Sequence, residues 1–147
     1  MAAKNCGCCM PVKSSARKKL SRADQRDLDT RIEFLEGLVR RDPNYADALQ
    51  LLGDHYTQRG RCLEGLEVDE RLARLEPRNP LVFYNLACSY SLTGHFHRAV
   101  LALEKAINLG YRDFNWLAKD PDLRKLRQQP VYRDIRDKIR RMKVEVR

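Results

Sequence analysis

Cysteine is the residue of this chain best suited to chemistry. Three of its five cysteines, Cys6, Cys8 and Cys9, fall within four positions. Closely set thiolates are soft ligands that suit Cu(I), and Met10 stands beside them. Zinc asks for four ligands at spacings such as C-x2-C, and this cluster is tighter, has three members and has no histidine nearby. No resident metal is therefore assigned, and Cys6, Cys8 and Cys9 stand as weak candidates only. Lipidation ahead of a basic run and redox capture are the other functional readings. The ordinary reading is a tag-like arm whose exposed thiols lie near lysines and react without forming a site. An odd number of cysteines in a cytosolic chain argues against a disulfide framework.

Three histidines offer little more. His95 and His97 flank Phe96, and residues two apart do not share a helical face, so they are not the i, i+4 pair that binds metal. His55 lies far from both. The residues supply no nucleophile with a base and an orienter, no phosphate-cradling glycine loop and no paired carboxylates. No catalytic residue and no cofactor are assigned, and the expectation is a protein that is not an enzyme.

The elements that must position these residues come from self-comparison. A shift of 34 residues places Pro43 on Pro77, Leu52 on Leu86, Tyr56 on Tyr90 and Gly60 on Gly94. Gly53 then falls on Ala87, Gly65 on Ala99 and Leu49 on Phe83. Helical spacing appears in Leu49, Leu52, Tyr56 and again in Phe83, Leu86, Ala87, Tyr90. Gly60 and Gly94 sit where each hairpin must turn, a place that favours a residue free to take positive φ. The small residues at 53, 65, 87 and 99 let paired helices approach. Pro43 and Pro77 are expected to begin new helices, where a missing N–H costs nothing. Helices are predicted at 45–58, 62–75, 79–92 and 96–109. A further helix over 22–41 has Ser21 and Asp24 as cap pair and an apolar face of Leu28, Ile32, Leu35, Leu38 and Val39.

The segment FYNLACSY, followed by Gly94, Ala99, Leu103 and Ala106, resembles the tetratricopeptide (TPR) repeat, whose pattern combines these residues over 34 positions. LQLLGDHY with Gly60, Gly65 and Leu72 is a weaker copy. Asp69 stands there where an aromatic is usual, which implies looser packing of that second helix. The run GYRDFNWLAKDPDLRKLRQQPVYRDI is similar to a terminating element of bacterial TPR arrays. It implies a short aromatic helix, a turn and a last amphipathic helix carrying Val131, Ile135, Ile139 and Met142. The resemblance, over residues 25–140, implies an all-α fold: a TPR-like right-handed superhelix of antiparallel helix pairs, about two full repeats plus flanking helices.

It also implies where a partner binds. In TPR stacks the first helix of each repeat lines a concave groove, which places Asp47, Gln50, Asp54 and Gln58 there from one helix and Tyr84, Asn85, Cys88 and Ser91 from the next. The TPR clamp for the carboxylate tail of heat-shock chaperones needs Lys and Asn on the first repeat and Lys and Arg later, and only Asn85 matches. Asp47 and Asp54 have the wrong sign for an anionic tail, so a basic or neutral peptide suits this groove. Trp116, with Phe114 and Leu117, is expected in the core of the cap.

Charge refines this picture. The net +9 sits at the ends: residues 1–22 hold six Lys or Arg and no acid, 23–119 hold 13 bases against 15 acids, and 120–147 hold ten bases against five acids. Basic ends attract any polyanion, so an RNA- or ribosome-associated factor is the competing class, and a metal- or redox-responsive adaptor using the cysteine cluster is the third. No run is long and apolar enough to span a membrane, and neither a secretory signal nor a myristoylation site is visible, which makes the cytoplasm the expected compartment. Three regions are expected: a disordered basic arm over 1–20, helical repeats over 21–110 and a helical cap with a basic end over 111–147. The expected function is a scaffold or adaptor that holds a protein or peptide.

Overall fold

The computed structural model describes residues 19–145, and every regular element in them is helical. The arm expected over 1–20, with Cys6, Cys8 and Cys9, lies outside the described residues apart from Lys19 and Leu20. The chain forms two compact units that divide between Pro77 and Arg78.

Among the described residues the first unit holds three helices: α1 (Arg22–Arg41), α2 (Ala46–Arg59) and α3 (Cys62–Leu75). α1 starts at a capping box. Ser21 Oγ accepts from the Asp24 backbone N–H at 3.1 Å, and the Asp24 carboxylate accepts from the Ser21 backbone N–H at 3.1 Å. The Ser21 hydroxyl donates to that carboxylate too, and these bonds hold the Asp24 carboxyl below its ordinary pKa. From there Leu28, Ile32 and Leu35 face inward at i, i+4 and i+7. They pack with Ala48, Leu52 and Tyr56 of α2, while Leu38, Val39 and Val68 cover the edges. Each Leu or Ile removed from water in this way stabilises the unit by about 1.5–3 kcal/mol. The Tyr56 hydroxyl, at the end of the cluster, donates to Glu36 at 2.5 Å, and the Arg61 guanidinium lies over the Tyr56 ring.

α2 and α3 meet where side chains are smallest. A Cβ on Gly53 would stand 2.7 Å from Asp69 Oδ1, and one on Gly65 would stand 3.1 Å from Thr57 Oγ1 and 3.5 Å from the Gly53 carbonyl. Asp69 is buried against this crossing: the carboxylate fills the position where an aromatic was expected. Gly60 closes α2 at φ +84, with the Arg61 N–H donating to the Tyr56 carbonyl at 2.8 Å.

The second unit opens with α4 (Pro80–Leu92) and α5 (Phe96–Asn108). The 34-residue register is visible atom by atom in its turn: Gly94 has φ +81, and the His95 N–H donates to the Tyr90 carbonyl at 2.8 Å. Helix boundaries thus fall within two residues of those predicted. The prolines differ. Pro43 and Pro77 stand in the turns before α2 and α4, and it is Pro80 that occupies the first turn of a helix, behind an Asn79 cap. The reason is that residues 44–45 and 78–79 still complete the turn before the backbone can enter a helix.

α4 buries residues all round: Val82, Phe83, Leu86 and Ala87 on some faces, Tyr84, Cys88 and Ser91 on another. A helix apolar on every side must be covered on every side. α5 covers one flank with Ala99, Val100, Leu103 and Ala106. The chain after Gly110 runs through α6 (Phe114–Leu117) and covers another flank with a 3-10 turn at Pro121–Leu123 and α7 (Arg124–Arg127). A second 3-10 turn, Pro130–Tyr132, and α8 (Arg133–Glu145) return onto α5, with Tyr132 and Ile135 buried. Val131, Ile139 and Met142 are half-buried. No helix among the described residues is long and apolar enough to cross a membrane.

Candidate binding site

The α2 positions Asp47, Gln50, Asp54 and Gln58 are spaced three, four and four residues apart, which puts them on one helical stripe. All four are exposed, and Leu51 is exposed beside them. Asp47 and Asp54 make no ion pair among the described residues. Desolvation by neighbouring atoms raises the Asp54 carboxyl above its ordinary pKa, and the adjacent His55 offsets part of that. The stripe is therefore an acidic, hydrogen-bonding surface with an apolar contact at its centre.

α4 behaves differently from expectation. Tyr84, Cys88 and Ser91 are buried and Asn85 is half-buried, so these residues do not form an open groove wall. For Tyr84 and Cys88 the cause is the segment after α5. The Tyr111 ring stacks on Tyr84 with centroids 4.3 Å apart and planes 12° apart. The Tyr84 hydroxyl donates to Asp120 Oδ2 at 2.6 Å, and the Cys88 thiol donates to the same oxygen at 3.7 Å. The other oxygen, Oδ1, accepts from the Asp122 N–H at 2.9 Å and so caps the 3-10 turn. Burial, then Cys88 and the Asp120 carboxylate, push the Tyr84 phenol well above its ordinary pKa, and burial pushes Tyr111 up to about 12. Arg127 fixes the same turn from the far side, donating through Nη1 to the Leu117 and Asp120 carbonyls at 3.0 and 2.8 Å.

Cys88, Asp120 and Asp122 bring three metal-capable atoms within 4.8 Å of one another. The hydrogen bonds that Asp120 accepts from Tyr84, Cys88 and Asp122 already account for its oxygens, which makes the cluster a clasp between α4 and the terminal segment. Cys62 is buried at the first residue of α3.

His95 Nδ1 lies 2.9 Å from Thr93 Oγ1, but that hydroxyl also contacts the Ser89 carbonyl at 2.8 Å, the ordinary back-bond of a helix end. His97 is exposed and His55 half-buried. Trp116 corrects another expectation: it is 50% exposed and Phe114 half-buried, while Leu117 alone of the three enters the core. Trp116 directly precedes Leu117 on the single turn of α6 and so points about 100° away from the inward side, whereas Phe114, three residues before Leu117, shares part of that side. The roles of Asp120 and Arg127 were missed. The signal for Asp120 was present as an aspartate directly before Pro-Asp, an Asx cap of a turn. Arg127 gave none, since a lone arginine among basic neighbours reads as a solvated face.

No protein-family model matches the chain. It is 29% identical over 111 residues to a chloroplastic protein of Arabidopsis thaliana, covering 74% of this chain and 32% of that protein. It is 34% identical over 76 residues to the peroxisomal targeting signal receptor of Candida albicans, covering 52% of this chain and 13% of the receptor. With the PEX5-related protein of Homo sapiens it shares 30% over 102 residues, 69% of this chain and 15% of the relative. The chain thus spans about a third or less of the length of these relatives. What the fold and these similarities establish together is an all-α helical repeat protein.

Proposed function

We propose that this chain is a non-enzymatic adaptor of the TPR type that holds a basic or neutral peptide, or an equivalent protein segment, along the exposed stripe of α2. The observation that carries the reading is the stripe itself: Asp47, Gln50, Asp54 and Gln58 share one open face, with two carboxylates that no cation of the described residues neutralises. Carboxylates and amides at helical spacing accept from a lysine, an arginine or the N–H groups of an extended backbone, and Leu51 offers apolar contact between them. A receptor named for a targeting signal is among the similar proteins, which supports peptide recognition as the kind of task this repeat performs. The segment from Tyr111 onward acts as a terminating element in the second unit, where it covers α4.

The test is a positional-scanning peptide array probed with the full chain and with an Asp47→Lys/Asp54→Lys variant. Enrichment of basic and neutral sequences by the wild type, lost in the variant, is the expected outcome. An identical array pattern for both proteins contradicts the assignment to α2. A binding signal that instead follows polyanions, and collapses steeply with salt, assigns function to the basic ends.

A further inference from the structure

A cleft of about 300 Å³ opens in the second unit between α4 and α5. Phe83, Leu86 and Tyr90 form its floor, and Arg98, Leu101 and Lys105 its outer wall. Leu101 is 63% exposed. Lys105 Nζ stands 4.2 Å from the centre of the Phe83 ring, and the Arg98 guanidinium stands 6.0 Å from the centre of Tyr90. Aromatic faces thus hold both cations at the cleft. Neither cation has an ion pair among the described residues, and no carboxylate lines the cleft.

The spacing of this wall is the reverse of the spacing on α2. From Arg98, an exposed leucine follows at three residues and a second cation at seven; from Asp54 backwards, exposed Leu51 lies at three residues and Asp47 at seven. Seven residues of helix span about 10 Å in both cases. An antiparallel α2 laid on α5 therefore sets Asp54 against Arg98, Leu51 against Leu101 and Asp47 against Lys105 together. We propose that the occupant of the α4–α5 cleft is α2 of a second copy of this chain, so that molecules associate head to tail. This rests on the reading of α2 as a binding stripe and names the chain itself as one partner of that stripe. Because the two surfaces differ, the contact is heterologous: each molecule offers one α2 and one cleft, and mass rises above the monomer with concentration. The contact is small and its ion pairs are exposed, so association belongs at about 10 µM to 1 mM and weakens with salt.

Sedimentation of the full chain at 50 mM and 500 mM salt tests this with two variants, Asp47→Lys/Asp54→Lys and Arg98→Gln/Lys105→Gln, the second neutral so that it cannot pair with the lysines of the first. Each variant alone is expected to stay monomeric. Mixed, they retain one intact α2 and one intact cleft and are expected to form a 1:1 dimer and nothing larger. Leu51→Ser and Leu101→Ser, at exposed positions, form a second pair with the same expectation should a charge variant fail to fold. The proposal is overturned by a wild type that stays monomeric to 1 mM at low salt, by a variant that self-associates like the wild type, or by a mixture that stays monomeric. It is also overturned if a peptide with glutamates seven residues apart around a leucine binds the cleft while the wild type stays monomeric, which makes the occupant another protein. In those cases, peptide-array selectivity lost only in the Asp47→Lys/Asp54→Lys variant leaves the adaptor reading standing without self-association. Loss of both marks failure of the α2 reading itself.

Discussion

Tyr84→Phe removes one oxygen from the centre of the clasp that covers α4, and its consequences can be worked out at two pH values. At neutral pH the Asp120 carboxylate loses the donor at 2.6 Å while staying buried, with only the Cys88 thiol and the Asp122 N–H left to it. A hydrogen bond to a charged acceptor contributes about 1.5–3 kcal/mol. In a unit of this size that lowers Tm by roughly 10 °C. At alkaline pH the sign is fixed by proton uptake. The folded protein holds the Tyr84 proton well above its ordinary value, so above about pH 10 the unfolded chain binds fewer protons than the folded one and stability falls by at most about 1.4 kcal/mol per pH unit for each such tyrosine. Tyr111, pushed up to about 12, adds to that loss between about pH 10 and 12. Tyr84→Phe is therefore expected to melt earlier at pH 7 yet lose stability less steeply between pH 10 and 11, as read by circular dichroism melts at both ends. Tyr45→Phe, at an exposed residue, is the control and should match the wild type throughout. A Tyr84→Phe protein with wild-type Tm at pH 7 and an unchanged alkaline slope would refute the clasp.

Other consequences follow from the same packing. Gly94→Val forces a β-branched residue to φ +81, which costs about 1–3 kcal/mol, and Ala99→Phe overpacks a fully buried position by a similar amount; urea midpoints read both. Ile135→Ala empties a site with no exposure under α8 and is expected to cost about 2–5 kcal/mol in the same assay. Basic-peptide binding should fall on acidification, with the Asp54 part of the loss setting in at higher pH than for an ordinary aspartate because burial raises that carboxyl; anisotropy titrations at stepped pH check this, and Asp54→Asn should remove that part of the profile.

The repeat was legible because its physics is local. A turn needs Gly60 and Gly94 at positive φ, a helix crossing needs Gly53 and Gly65 without side chains, and a helix start is written in the Ser21–Asp24 pair. Each requirement leaves a residue type at a fixed spacing. The burial of Tyr84 and Cys88 was not legible, because it depends on a segment some thirty residues later folding back onto α4. Their types fit a groove and a core equally well, and only the stacked Tyr111 and the Asp120 carboxylate decide between them. The α2 stripe was easier: acids and amides at exposed helical positions have one physical outcome when nothing packs on them. Trp116 misled for the opposite reason: a large aromatic beside core residues suggests burial, but next to Leu117 on a single helical turn it points about 100° away from the inward side.

Recognition of a partner by α2 through Asp47 and Asp54 is tested most directly by the affinity of the best array-selected peptide for the wild type, for Asp47→Asn/Asp54→Asn and for Tyr45→Phe, by isothermal titration at moderate salt. Removing the two charges is expected to lower affinity at least roughly tenfold, which is about 1.4 kcal/mol of binding, and Tyr45→Phe is expected to leave it unchanged. Equal affinity for all three proteins would contradict it.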